Sequence, residues 1–238
     1  MLKLLFTETL NKYDETVYQL NTGGYILFIC LFLLFLGLAI SLTRKGEKTI
    51  IPVKQLVFSA VAIALATVLS ELRLFKMPMG GSVTPFSMLF IVLIGWIYGL
   101  RGGLMVAIAH GVLQLLLGGS IYSLPQMLVD YILAFGALGL SGLFSESKHG
   151  LLKGYLLGVS GRFLFSFISG FIFFGYYAPE GMNPAWYSAL YNISYIGTEA
   201  VLTCVLILLP PVGSTLKTVK QMAFTGDQRR SNHGKRIA

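Results

Sequence analysis

The sequence predicts an all-α integral membrane protein of seven spans, and three observations predict it. Hydrophobic residues fill 55% of the 238 positions and charged residues only 12%, whereas about a quarter of a soluble domain is charged. Mean hydropathy is +0.74. Apolar runs near the roughly 20 residues that cross a bilayer as a helix recur along the chain, parted by short polar segments. The net charge of +8 does not point to nucleic acid, because the basic residues sit between apolar runs, where they set membrane orientation.

The chain divides into an N-terminal extension (1–52), a membrane domain (53–211) and a basic tail (212–238). Residues 1–23 are polar and mildly acidic, and Gly24–Leu42 is the first span. A cleaved signal peptide fits poorly, since the start is not basic and the apolar run is too long. The basic cluster Thr43–Lys48 stays inside, which puts the N-terminus outside. In the second span, Val53–Leu74, Ala60 and Ala64, and likewise Ala62 and Ala66, stand four apart and share a helix side. Small residues at that spacing admit a second helix, although alanine is also common in any membrane helix. Glu71, Arg73 and Lys76 mark the outer end, and Met77–Pro85 is a turn-rich loop in which Pro and paired Gly forbid a continuing helix.

Span three, Phe86–Leu100, is short for a crossing; Arg101–Gly103 is a tight inner turn into span four, Leu104–Leu117. His110 lies mid-span and reads as a packing residue, with no second His or Cys at metal spacing, so no metal site is expected. Ser123, with Pro125 beyond it, is a plausible start for span five, Leu124–Phe144. Ser145–Gly150 returns inside. Span six, Leu151–Gly175, bears a polar stripe of Arg162, Ser166, Ser169 and Gly170 at helical intervals. Asn183 and Pro184 are N-cap and first residue of span seven, Ala185–Leu209, where Ser188, Asn192, Tyr195 and Glu199 form a second stripe at 4-3-4 spacing. Pro210 and Pro211 stop that helix, and the basic segment from Lys217 to Arg236 reads as a flexible cytoplasmic tail. Cys30 and Cys204 both fall in apolar spans and read as packing residues. The charge distribution makes the topology N-out and C-in.

Asp130 is the residue that most needs a reason. A charge at the bilayer centre costs about 2.5 to 3.5 kcal/mol on insertion scales, so such groups face a bundle interior or wet cavity. Asp130 either marks a ligand path or is a structural carboxylate held by a nearby donor. Arg162 is its counter-charge, a snorkelling cation or a ligand contact. Asp130 with Tyr131, Arg162 with Ser166, and Tyr187, Asn192 and Glu199 come from three helices and together could line one pocket opening outward. A carboxylate, an amide and several aromatics suit a small, flat, polar ligand. There is no nucleophile elbow, HExxH or P-loop. The chain is therefore read as no enzyme, with no cofactor of its own; an intramembrane acid/base pair of Asp130 and Glu199 is the remote alternative.

Met77-Pro-Met-Gly-Gly-Ser-Val83, Leu128-Val-Asp-Tyr131, Ala134 to Leu140, Gly161-Arg-Phe163, Phe167-Ile-Ser-Gly170 and Phe173 to Met182, on through Tyr187 to Asn192, occur in that order. This series closely resembles the thiamine-specific substrate-binding (S) component of energy-coupling factor transporters, the ThiT/YuaJ family, over roughly residues 54–210. The resemblance implies a six-helix S-component bundle in a bacterial plasma membrane, to which Gly24–Leu42 adds one helix. It implies that thiamine is bound from outside and delivered through a shared transmembrane T-component and two ATPases, which use the ATP. Asp130, Tyr131, Gly170, Tyr187 and Asn192 match the family's motif positions; Met79, Gly80, Gly81 and Ser82 belong to a loop that lids the pocket. Ala60, Ala62, Ala64 and Ala66 look like the small-residue surface for T-component docking.

Two positions depart from the pattern. Ser166 stands where the family typically has His, and Phe174 where some members have Trp. Losing the imidazole removes a ring contact, and Phe attracts a cation less than Trp does. The same scaffold could then serve a related pyrimidine, a thiamine precursor or another small heterocycle.

Overall fold

The structure, a computed structural model, describes residues 6–10, 16–20, 22–23, 26, 51–77, 81–117 and 121–237. The first predicted span lies outside them apart from Ile26, and so do Met79 and Gly80 of the predicted lid. Two short strands, β1 (Phe6–Leu10) and β2 (Thr16–Leu20), pair antiparallel.

Among the described residues five helices are long and apolar enough to cross a bilayer: α1 (Val53–Glu71), α2 (Ser87–Leu116), α3 (Leu124–Phe144), α4 (Gly150–Phe173) and α5 (Pro184–Leu208). A sixth, α6 (Pro210–Ile237), follows. The protein is thus an all-α, multi-pass membrane protein. Between α1 and α2 the chain makes a two-stranded turn, β3 (Phe75–Lys76) and β4 (Ser82–Val83), in which Phe75 faces Val83 and Lys76 faces Ser82.

The helix α2 is two legs. Gly99 has φ 78° and ψ −176°, a conformation that L side chains rarely adopt. A Cβ on Gly103 would lie 2.7 Å from the Cα of Gly95, although eight residues of straight helix would part them by about 12 Å. The chain therefore folds back at Gly99, and predicted spans three and four are separate antiparallel legs. That fold seats on α3 because the facing positions lack side chains: a Cβ on Gly142 would meet the carbonyl carbon of Gly99 and the nitrogen of Leu100 at 2.3 Å. Backbone-to-backbone packing makes α2 and α3 the centre of the bundle. Ile91, Val92, Ala107 and Leu138 in these helices, and Tyr155 from α4, are fully buried there.

Two helix starts follow their sequence signals. Ser123 Oγ accepts from the Gln126 N–H at 3.3 Å, and Asn183 Oδ1 accepts from the Ala185 N–H at 2.8 Å. Both caps set helices that are irregular further along. In α3 a wide π turn spans Leu128–Leu133 and a tighter 3-10 stretch spans Ala137–Phe144. In α5 a π turn spans Ile193–Gly197.

Part of the expected flexible tail is packed: α6 lies against the end of the bundle through Leu216, Val219 and Ala223, which recur at helical spacing and give it an apolar side. Lys220 Nζ donates to the carbonyls of Trp96 at 2.9 Å and Ser145 at 2.6 Å and lies 4.6 Å over the Trp96 ring. Burial pushes the Lys220 ammonium below its ordinary pKa range. The Lys54 ammonium, on α1, donates to the carbonyl of Met222.

Candidate functional site

Three helices meet around a cavity of about 450 Å³. From α3 come Asp130, Tyr131 and Phe135; from α4 and the turn after it come Arg162, Ser166, Ser169, Gly170, Phe174 and Tyr177; from α5 come Tyr187, Ser188, Tyr191, Asn192 and Tyr195. Arg162, Ser166, Ser169 and Gly170 follow the spacing of one helical face, as do Ser188, Tyr191, Asn192 and Tyr195. Both π turns border the cavity: one contains Asp130 and Tyr131, and the other begins just after Asn192. An extra residue in a turn re-aims the side chains around it, a device frequent at functional sites.

Glycine sets how close α4 and α5 come. A Cβ on Gly170 would lie 2.3 Å from Ser188 Oγ and 3.2 Å from Asn192 Nδ2. With hydrogen there instead, Ser188 Oγ donates to the Phe167 carbonyl at 2.8 Å, and Asn192 Nδ2 donates to the carbonyls of Ser166 at 3.2 Å and Ser188 at 2.9 Å. Asn192 Oδ1 accepts from the Tyr195 hydroxyl at 2.9 Å. The buried amide is thereby fixed in one orientation at the wall of the cavity.

Asp130 is oriented more loosely. Gln126 Nε2 donates to Oδ2 at 2.7 Å, and Gln126 is itself placed by the Tyr122 N–H, which donates to its Oε1 at 3.0 Å. The Ser169 hydroxyl, on the facing side of α4, is the other donor beside the carboxylate. Arg162 forms no ion pair with Asp130; its guanidinium lies 4.3 Å over the ring of Phe135, which engages the cation without a carboxylate. Rings complete the walls: Phe174 and Tyr177 stack with centroids 6.4 Å apart, Tyr187 and Tyr191 lie 6.1 Å apart, and Tyr191 meets Tyr195 edge-on at 5.5 Å.

Eight of the nine residues expected to bind substrate border this cavity: Asp130, Tyr131, Arg162, Ser166, Gly170, Phe174, Tyr187 and Asn192. Glu199 does not. It lies about 10 Å further along α5 than Asn192 at helical rise, beyond a π turn that changes the helical phase, and its carboxylate faces the start of α2. There it borders a second, smaller chamber of about 160 Å³ that shares Phe135, Arg162 and Tyr195 with the first. The alanines also separate. Ala62 and Ala66 are covered within the bundle, at 6% and 0% exposure, whereas Ala60 and Ala64 are on the exposed side of α1. Of the lid, Gly81 packs so closely on Tyr195 that a Cβ would sit 2.7 Å from its ring, and Ser82 borders the second chamber. His110 is a packing residue, edge-on to Phe135 at 5.2 Å with Nδ1 3.4 Å from Thr67 Oγ1.

Phe135, Ser169, Tyr177, Ser188, Tyr191 and Tyr195 also border the cavity, beyond the residues expected from the sequence. Four had a visible signal, since Ser169, Ser188 and Tyr195 belong to the two stripes and Tyr191 shares their face. Phe135 follows Tyr131 by one helical turn. Tyr177 lies in a turn whose direction periodicity does not give.

The family profile described as Thiamine transporter protein (Thia_YuaJ) matches residues 56–219, well over half of the chain. The chain belongs to this family. The thiamine transporter ThiT of Bacillus subtilis is 31% identical over 184 residues, covering 69% of this chain and 94% of that protein. ThiT of Lacticaseibacillus paracasei is 26% identical over 209 residues, covering 79% of this chain and 96% of that protein. Among solved structures, ThiT from Listeria monocytogenes superposes with a TM-score of 0.56 at 22% identity, over 66% of this chain and 94% of that one, a likeness of fold. Membership of the Thia_YuaJ family and the apolar helices make this a multi-pass protein of the bacterial cell membrane, a transporter and not an enzyme. The matched region contains every residue of the cavity.

Proposed function

We propose that this member of the Thia_YuaJ family is a high-affinity thiamine-binding S-component, taking the vitamin from outside and delivering it through a T-component and two ATPases. The observation that supports it best is the Asp130 carboxylate, without a cationic partner among the described residues, on an aromatic-walled cavity that also presents the fixed amide of Asn192. Thiamine is a flat aminopyrimidine joined to a cationic thiazolium. Asp130 supplies the opposite charge, rings such as Phe174 and Tyr187 supply π faces, and the cavity volume lies in the range of small-molecule sites. The relatives named for thiamine transport point the same way. Ala60 and Ala64, on the free side of α1, are the part of the alanine set available to a T-component helix. The seven-span, N-out topology and the lid role of Met79 to Ser82 belong to the same proposal.

Calorimetric titration of thiamine into the purified chain is expected to give saturable one-to-one binding, and its absence sinks the reading. A second ligand class is favoured by one feature, the Ser166 side chain on the cavity wall, where a ring is typical of the family. If competition by pyrimidine precursors outranks thiamine, and Ser166→His reverses the order, the scaffold serves the precursor. Thiamine uptake by cells that requires the T-component and ATP tests the coupling.

A further inference from the structure

Gln126, in the first turn of α3, is 2% exposed, and its carboxamide is directional, since the oxygen only accepts and the nitrogen only donates. The backbone decides which end faces where. The Tyr122 N–H can only donate, and it donates to Gln126 Oε1 at 3.0 Å. Nε2 is thereby turned to the residue four positions on, Asp130, whose Oδ2 accepts at 2.7 Å. Flipping the amide would set donor against donor at Tyr122 and acceptor against acceptor at Asp130, so only one orientation serves both. The backbone of Gln126 is fixed as well, because Ser123 Oγ accepts from its N–H at 3.3 Å. A donor held in this way fixes where the carboxylate places its charge.

Asp130 borders the cavity and Gln126 stands behind it. The Ser169 hydroxyl is beside the carboxylate from α4, but it borders the cavity and is open to direct contact with a ligand. Gln126 acts only through Asp130. We propose that Gln126 is a positioning residue for cation recognition: locked by the Tyr122 N–H, it anchors one oxygen of Asp130 against α3, so that the negative charge meets the ligand at one fixed point of the cavity wall. The same turn reaches the wall a second way. The ring of Tyr122 meets Phe174 edge-on with centroids 5.3 Å apart, and Phe174 borders the cavity. One residue ahead of α3 therefore sets the carboxylate through its N–H and an aromatic face through its ring, the two features that suit a cation. The inference rests on the thiamine reading, because the thiazolium is the charge that Asp130 is positioned to meet.

The test uses the full chain. Gln126→Met keeps the length of the side chain and removes donor and acceptor together. Calorimetric titration compares thiamine with its uncharged hydroxymethyl aminopyrimidine half. Thiamine is expected to bind about tenfold more weakly to the variant, as for loss of one charge-assisted contact, while the pyrimidine changes less than about twofold. In an Asp130→Asn background the same substitution is expected to change thiamine affinity less than about twofold, since the charge that Gln126 positions is gone. A structural role alone moves both ligands equally and acts in both backgrounds, and either result overturns the proposal. Gln126→Asn, one methylene too short to bridge Tyr122 and Asp130, decides it by the same comparisons if Gln126→Met does not fold. If the wild type binds no thiamine, the transport reading fails and the inference falls with it; thiamine binding that is indifferent to Gln126→Met sinks the inference alone.

Discussion

Asp130 and Glu199 are both carboxylates on apolar helices, yet the chain treats them in opposite ways. Glu199 takes three hydrogen bonds from Thr84, Ser87 and Met88 and borders only the smaller chamber. Asp130 takes one well-formed bond from Gln126, with only the looser Ser169 hydroxyl beside it, and borders the main cavity. A buried charge is tolerated when its acceptors are filled, and the filling group shows what the charge is for. Where the protein fills them, the charge holds the fold; where it does not, the remaining capacity is available to a ligand. Residue type does not distinguish the two, but the donors around each do.

The largest expected effect breaks the comparison if it comes out equal on both sides. Glu199→Ala strands the Met88 N–H and leaves the Thr84 and Ser87 hydroxyls only each other, 3.0 Å apart, and unfolding in denaturant is expected to require about 3 kcal/mol less than in the wild type. Asp130→Ala is expected to leave stability nearly unchanged, since the groups that lose a partner, Gln126 and the Ser169 hydroxyl, are then open to the cavity. Similar losses at both sites would mean that Asp130 is structural too. The next effect reads the ligand side. Asp130→Asn keeps a partner for Gln126 and removes the charge, so thiamine is expected to bind about 30- to 100-fold more weakly, or about 2 to 3 kcal/mol, at unchanged melting temperature. Calorimetry on the folded variant checks this, and undiminished affinity would take the charge reading away from Asp130.

These two residues also show how far the sequence could be read. Both were visible as ionisable groups in apolar runs, and the 4-3-4 spacing put Glu199 with Asn192 and Ser188. Spacing assumes one uninterrupted helix. The π turn at Ile193–Gly197 breaks that assumption between Asn192 and Glu199, and no residue type in Ile193–Gly197 announces a π turn. The stripe on α4, which has no such turn, transferred intact to the cavity. The fold at Gly99 was legible to within two residues from Arg101–Gly103, because glycine-rich turns have a local cause. The packing of α6 was not legible, since its apolar side is only three residues deep within a basic segment.

Gly170→Ala sharpens the comparison from the side of the amide. The added methyl meets Ser188 Oγ and Asn192 Nδ2, so α4 and α5 must part or the amide must turn. Overpacking of this kind costs about 1 to 3 kcal/mol. The expected result is a modest fall in melting temperature together with weaker thiamine binding. A fall in stability alone would mean that the orientation of Asn192 does not matter to the ligand.

The smallest effect asks whether Asp130 reads the ligand's charge by itself. Phe174 borders the cavity, stacks on Tyr177, and meets Tyr122 edge-on at 5.3 Å. Its ring is thus held at an angle set by neighbours on both sides. Trp has a stronger negative face than Phe, and cation–π contacts at partly desolvated sites are worth about 0.5 to 2 kcal/mol. Phe174→Trp should therefore tighten thiamine binding about two- to fivefold, by roughly 0.5 to 1 kcal/mol. Measured alone, such a gain could come from added apolar area. Pairing it with Asp130→Asn separates the causes: if ring and carboxylate attract the same thiazolium from two sides, the Trp gain persists in the Asn background, whereas a gain that needs Asp130 means the ring only orients the ligand toward the charge.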